Sequence, residues 1–282
     1  MPTSFGYSIG ISDIRVTLRD GSEKDCLQKV YPISNSIALG FAGSVRIGFR
    51  MVTAMRAWLR CDETNRAWIP KETVELWRPM ARDIFASAPS EEQARHCHLI
   101  MLSADPDSIG ALGATAYVHT FKSPEFVPIE VETNKAAGIG SGTFIEEYAA
   151  HLDEISNSHD RTFTLMKGET MNPGGMGGLL GFSLTRMLMR TNPQGISSHL
   201  HYCWVYLGKT IIKTNNHATA GAWTCLGGNA GSGINRRDVG EPDRSATFNG
   251  ATPFQMPRIA ESWKELRDTL NASGERPEGS VA

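Results

Sequence analysis

Apolar and polar positions alternate at the start of the chain. Phe5, Tyr7, Ile9 and Ile11 interleave with Gly6, Ser8, Gly10 and Ser12, the period of a half-buried strand that runs into Asp13. Arg19-Asp20-Gly21-Ser22 reads as a loop, with Asp-Gly as its turn former. A second strand, K-V-Y-P-I, starts at Lys29, and a third runs from Ile37 to Phe41 before breaking at Ala42-Gly43-Ser44. From there the period changes to that of a helix, predicted over Val45–Arg60. Ile47, Phe49, Val52, Met55, Trp58 and Leu59 fall largely on one face, with Arg46, Arg50 and Arg56 elsewhere. Ser44 is placed to cap it, and Gly43 permits the sharp entry.

Pro70 suits the first turn of another helix, continued by Val74, Trp77, Met80, Ile84 and Phe85; Pro79 inside the run predicts a kink or two short helices. Residues 97–103 and 112–121 read as strands joined by the turn-rich Ala104-Asp105-Pro106-Asp107. Two short strands are expected at 127–131 and 136–139, then a turn at Gly140-Ser141-Gly142. A helix follows with Phe144, Tyr148 and Leu152 on one face. Residues 156–178 hold the loop M-N-P-G-G-M-G-G. Leu179, Leu180, Ser183, Leu184, Met187 and Leu188 make a further amphipathic helix, which stops near Asn192-Pro193. Residues 198–207 and 210–214 form a hairpin.

Beyond about Asn216 the composition turns rich in Gly, Asn, Ser and Arg, with Trp223 as the one large anchor. A short helix is expected over 257–270, with Ile259, Trp263, Leu266 and Leu270 aligned, and the last residues are expected to be disordered. Strands in hairpins and helices in blocks argue for an α+β fold with a mostly antiparallel double sheet, not a parallel α/β sheet. The organisation expected is a main domain over 1–216 and a C-terminal extension over 217–282.

Composition removes several function classes. With 282 residues, 40% of them apolar, the chain can bury a substantial core. A net charge of −2 gives no reason to expect a nucleic-acid partner or an anionic membrane surface. The apolar runs are too short to span a bilayer, and the N-terminus has neither a basic n-region nor an apolar h-region. The 5 cysteines are odd in number and scattered, which points to free thiols and a reducing, cytoplasmic compartment.

The order of several short motifs carries a resemblance. S-D-x-R around Asp13, K-V-Y-P-I from Lys29, G-F-A-G-S before the amphipathic helix, and then F-K-S-P-E-F-V-P and A-A-G-I-G-S-G-T-F over 121–144 resemble the proteasome β-subunits and the bacterial self-compartmentalising peptidases related to them. The likeness covers roughly residues 4–215. It implies an N-terminal-nucleophile hydrolase with a four-layer αββα fold: two antiparallel sheets between helix layers. It also implies peptide or unfolded protein as substrate, a homo-oligomeric ring or stacked assembly, an ATPase or other regulator as a candidate partner, and no cofactor or metal.

In such enzymes a Thr, Ser or Cys at the first position attacks the carbonyl and its own free amine acts as base. A nearby lysine favours the ionised nucleophile, and an aspartate holds that lysine. Asp13 and Lys29 match that pair in order and spacing; read from the residues alone, the plainer reading, an ordinary ion pair or two unrelated surface charges, is the favoured one. Ser141 stands where the resemblance implies a serine touching the catalytic centre; the plainer reading is a turn serine capping the next helix. A second supporting Asp and Ser would fall within 192–197. Ser197 is present, and Asn192 replaces the aspartate.

The nucleophile is the largest departure. Carried over by spacing, it would precede Met1, and the strand that should bear it is missing. Thr3, followed by Ser4, is the one threonine near the start; it lies too close to Asp13 for a strand and return hairpin, and serving as nucleophile would require trimming past Pro2. Two readings stand: a peptidase whose nucleophile is supplied upstream or by processing, or an inactive relative that keeps the fold and assembly. His199 and His201 alternate on one strand face but lack a third metal ligand at suitable spacing. The C-terminal extension is expected to wrap a neighbouring subunit through Trp223 and Trp263.

Overall fold

The computed structural model describes residues 1–4, 6–18, 20–60, 70–110, 113–141, 150, 184, 188, 191, 193–206, 209–214 and 259–272. Among these the fold is mixed, with three antiparallel sheets and few helices. The strands are β1 (Tyr7–Asp13), β2 (Arg15–Thr17), β3 (Glu23–Asp25), β4 (Val30–Pro32), β5 (Ile37–Gly43), β6 (Cys97–Gly110), β7 (Gly113–Lys122), β8 (Ile129–Glu130), β9 (Leu200–Tyr206) and β10 (Lys209–Thr214). The helices are α1 (Val45–Arg60), α2 (Pro70–Ala86), the single turn α3 (Ser90–Gln93) and α4 (Trp263–Ala272). One sheet has the order β1-β9-β10, a second is the β2-β3 hairpin, and the third runs β4-β5-β6-β7-β8. No described helix is long and apolar enough to cross a membrane.

The turn into α1 forms as its residues dictate. Gly43 sits at φ +93°, where a Cβ would come within 2.7 Å of the His96 carbonyl oxygen. Ser44 Oγ accepts the Ile47 N–H at 3.2 Å and donates to Glu92 at 2.5 Å, so the helix cap is itself tied to α3. The face expected to be buried is buried: Ile47, Phe49, Val52, Met55 and Leu59, with Met51 added. α2 runs unbroken through Pro79 where two short helices were an open expectation. Pro79 lies on the exposed face, so water satisfies the carbonyl that loses its amide partner. The opposite face of α2, Trp77 with Val74, Ala81 and Phe85, is buried, and the Trp77 ring stacks on Trp58 at 6.1 Å.

Three apolar clusters organise the core. The largest joins α1, α2 and α4 to β4 and β5 and to Leu99, Met101 and Phe121. A second takes Leu102 and Val118 from the five-stranded sheet with Cys203 and Val205 from the three-stranded one. A third lies on the other side of β1 and β9, where Ile9, Tyr202 and Trp204 meet Leu184 and Leu188. The β9–β10 hairpin is where the alternation puts it.

Several expectations need correction. β6 continues to Gly110 instead of turning at 104–107; a register shift between Asp105 and Ile109 absorbs the irregular residues within the strand. β8 is only Ile129–Glu130, and 136–139 joins no sheet; those residues line a cavity instead. The N-terminus does make a short return: Met1 and Ile9 exchange backbone hydrogen bonds of 2.8 and 2.9 Å, and the Thr3 N–H donates to the Tyr7 carbonyl at 3.0 Å. Asn134 clasps this turn, its N–H donating to the Pro2 carbonyl at 2.7 Å. The helix expected over 257–270 begins only at Trp263, with 259–262 outside it. Trp263 packs on this chain's own core, beside Leu266 and Leu270. The helix expected around Phe144, most of that over 179–188, the 156–178 loop, and Trp223 with the stretch around it lie outside the described residues.

Trp77→Ala should cost about 3–5 kcal/mol of unfolding free energy, because it empties a fully buried indole site. Leu76→Ala, one position away and 60% exposed, should change stability by less than about 0.5 kcal/mol. Urea denaturation of the two variants measures both.

Candidate functional site

Asp13 ends β1, and Lys29 immediately precedes β4. The Ile14 carbonyl brings them together by accepting the N–H groups of both Cys26 and Leu27, at 3.0 and 2.9 Å. Lys29 is fixed from the other side by its carbonyl, which accepts the Phe41 N–H at 3.0 Å. Ala260 braces the same segment, donating to the Cys26 carbonyl at 2.7 Å and accepting from the Gln28 N–H at 3.1 Å. The result is a two-pronged ion pair: Lys29 Nζ lies 3.0 Å from Asp13 Oδ1 and 3.1 Å from Oδ2. Asp13 Oδ1 also accepts the Arg15 N–H at 2.7 Å, which fixes the carboxylate's orientation.

The pair borders a cavity of about 490 Å³. Apolar side chains such as Ile9, Phe41, Leu102 and Leu188 make most of its wall, and Asp13, Lys29 and Ser141 give it polar points. Ser141 is held there by two glycines. Gly140 is at φ +79°, with room for no Cβ against Ala42 (2.7 Å), and Gly195, at φ +81°, turns the neighbouring segment in the left-handed region, where a Cβ would be in ordinary contact with Ser141 Oγ at 3.5 Å. The sequence-predicted residues Asp13, Lys29 and Ser141 are thus brought to one cavity.

Ser197 and Thr3 are used differently. Ser197 is buried; its hydroxyl donates to Asp25 Oδ2 at 2.5 Å and accepts the His199 N–H at 3.0 Å. Thr3 is buried in the N-terminal turn, its hydroxyl donating to the Tyr7 carbonyl at 2.6 Å. Asn192 lies outside the described residues, yet Ser197 does have a carboxylate partner. That partner is Asp25, on the hairpin following Asp13.

Asp25 belongs to a polar group that sequence reasoning missed. Arg15 Nε donates to Asp25 Oδ1 and Arg15 Nη1 to Glu23 Oε2, both at 2.8 Å, while Glu23 Oε1 accepts the Gly195 N–H at 2.7 Å. Burial works to raise the Asp25 carboxyl, but hydrogen bonds from Arg15 and Ser197 outweigh it and hold the group below its ordinary value. The available signal was the alternation Glu23-Lys24-Asp25, which puts both acids on one strand face opposite Arg15.

Other reactive side chains are less suited to chemistry. Burial pushes the thiols of Cys97 and Cys203 up to about 12, so neither is a thiolate nucleophile at neutral pH. Among the described residues no three His, Cys, Asp or Glu side chains are grouped to hold a metal ion. His201 sits opposite Ser12 on the β9 face that carries Cys203 and Val205, and is 3% exposed. Burial pushes its imidazole down to about 4, against an upward pull from Asp13.

A depressed histidine binds its proton more readily in the unfolded chain. Its contribution to stability is therefore complete above the ordinary value of 6.5 and is lost as the pH falls toward 4. His201→Gln should flatten the acid loss of stability in that window by about 3 kcal/mol, read from urea unfolding across the pH range. No protein-family model matches this chain, and a search of curated proteins finds no relative.

Proposed function

We propose that this chain is a proteasome-like N-terminal-nucleophile hydrolase that cuts peptide or amide bonds inside a cytoplasmic homo-oligomer, with an αββα core of two sheets between helix layers. The observation that carries the reading is the bidentate Asp13–Lys29 pair, held at the edge of a cavity that Ser141 also lines. The layered reading is supported by the three apolar clusters, one between the sheets and one on the outer side of each.

In this mechanism Lys29 supplies a fixed positive charge beside the nucleophile, and Asp13 keeps it charged and aimed. Ser141, which lines the same cavity, offers a hydroxyl for the proton that leaves the nucleophile. The nucleophile itself is a terminal Thr, Ser or Cys whose amine is the base.

A second reading, a catalytically inactive assembly subunit, is favoured by one observation. The Thr3 hydroxyl, the nearest alternative nucleophile, is committed to the Tyr7 carbonyl and lies outside the cavity wall.

Protein from its natural source separates the two readings. Its N-terminus should carry Thr, Ser or Cys, and it should hydrolyse unstructured peptides. Lys29→Ala should lower turnover at least about 100-fold while leaving the oligomer intact. Full turnover in Lys29→Ala, or no turnover and no covalent inhibitor adduct in the native protein, would sink the peptidase reading.

A further inference from the structure

Of the Arg15–Asp25 group only Arg15 lines the cavity, yet the group touches both halves of the candidate site. On one side, the backbone N–H of Arg15 holds Asp13, and the Arg15 guanidinium is gripped by Asp25 and Glu23. On the other side, Asp25 accepts the Ser197 hydroxyl and faces His199 Nδ1 at 3.3 Å, while Glu23 accepts the Gly195 N–H. Gly195 in turn neighbours Ser141: both line the cavity, and a side chain built at 195 would reach the Ser141 hydroxyl at 3.5 Å. One strand, β3, therefore links the Asp13–Lys29 pair to the segment that backs Ser141.

Ser197 cannot act as a base in this arrangement. Its proton is donated to Asp25, and its oxygen already accepts the His199 N–H. Nor do Ser197, His199 and Asp25 form a nucleophilic triad. Ser197 Oγ and Asp25 Oδ2 both crowd the same ring nitrogen, each at 3.3 Å, where a triad needs them at opposite nitrogens. The group works as a clamp.

We propose that Asp25 is a positioning residue, the carboxylate that holds the Asp13–Lys29 pair and the Ser141 wall at a fixed separation through Arg15 and Ser197. The proposal rests on the peptidase reading for its catalytic consequence and on geometry alone for its structural one. Asp25 supplies the Ser197 hydroxyl with a charged acceptor from a different element. An amide at position 25 is isosteric but uncharged, so Arg15 loses its counter-charge and His199 loses a nearby anion.

The test compares Asp25→Asn, Asp25→Glu and Ser197→Ala in the full chain. NMR comparison comes first, because it needs no turnover. In Asp25→Asn the His199 ring signals, which face Asp25 at 3.3 Å, should shift, and so should the Lys29 and Ser141 signals. In Ser197→Ala the Ser141 signals should shift and the Lys29 signals stay put. Where the native protein turns over peptide, Asp25→Asn should lower kcat about tenfold with KM within about twofold, and Asp25→Glu should recover part of the loss. Unmoved His199, Lys29 and Ser141 signals in Asp25→Asn overturn the proposal. So does an activity loss no larger than its loss of folded protein. If Asp25→Asn does not fold, Ser197→Ala decides alone, and unmoved Ser141 signals there overturn it. A native protein without turnover removes the peptidase reading and leaves the NMR comparison to decide the clamp.

Discussion

A lysine ammonium held between both oxygens of one aspartate, at the rim of a largely apolar cavity, is the constraint that most of this structure serves. A half-buried cation needs a compensating charge, and a half-buried carboxylate needs its lone pairs filled. Asp13 and Lys29 meet both needs for each other. The requirement spreads outward: Arg15 fills the remaining direction on Asp13, and Arg15 then needs Asp25 and Glu23. Those carboxylates finally bind Ser197 and Gly195, almost at the other end of the described chain.

The apolar scaffold sets where this polar chain can run. α1 and α2 bury their Trp, Met and Phe faces on one side of the five-stranded sheet, and Leu102 and Val118 meet Cys203 and Val205 on the other. The polar network lies along the margin, on β2, β3 and the 193–199 segment, where side chains keep about a fifth of their surface in water. That margin lets charges persist without full desolvation, and keeps them close enough to the cavity to matter.

Much of the fold was legible in the sequence because it depends on local chemistry. The Gly43-Ser44 elbow, the α1 period and the β9–β10 hairpin each follow from residues within one turn or one pair of strands. The pairing of Asp13 with Lys29 was legible only through the resemblance in motif order; the strand patterns place each residue at a strand end but do not say that the two meet. What escaped depends on partners distant in sequence. The reach of β6 to Gly110 was hidden by Pro106 and Asp107, and the register shift that accommodates them is not a local property. The Asp25–Ser197 bond joins residues far apart in the chain, and no spacing rule announces it. The Trp263 helix read correctly as a helix, but its amphipathic face could not say whose core it would cover.

The same long reach governs the order in which the molecule can be built. β4 to β8 with α1 and α2 close on neighbours near in sequence, so this half can collapse as soon as it leaves the ribosome. β1 has to wait for β9, and Leu27 for Ala260. Loop closure over such spans is slow, so β1 is among the last of the described strands to find its partner. The cation therefore acquires its final setting late, once Ala260 has docked beside Leu27.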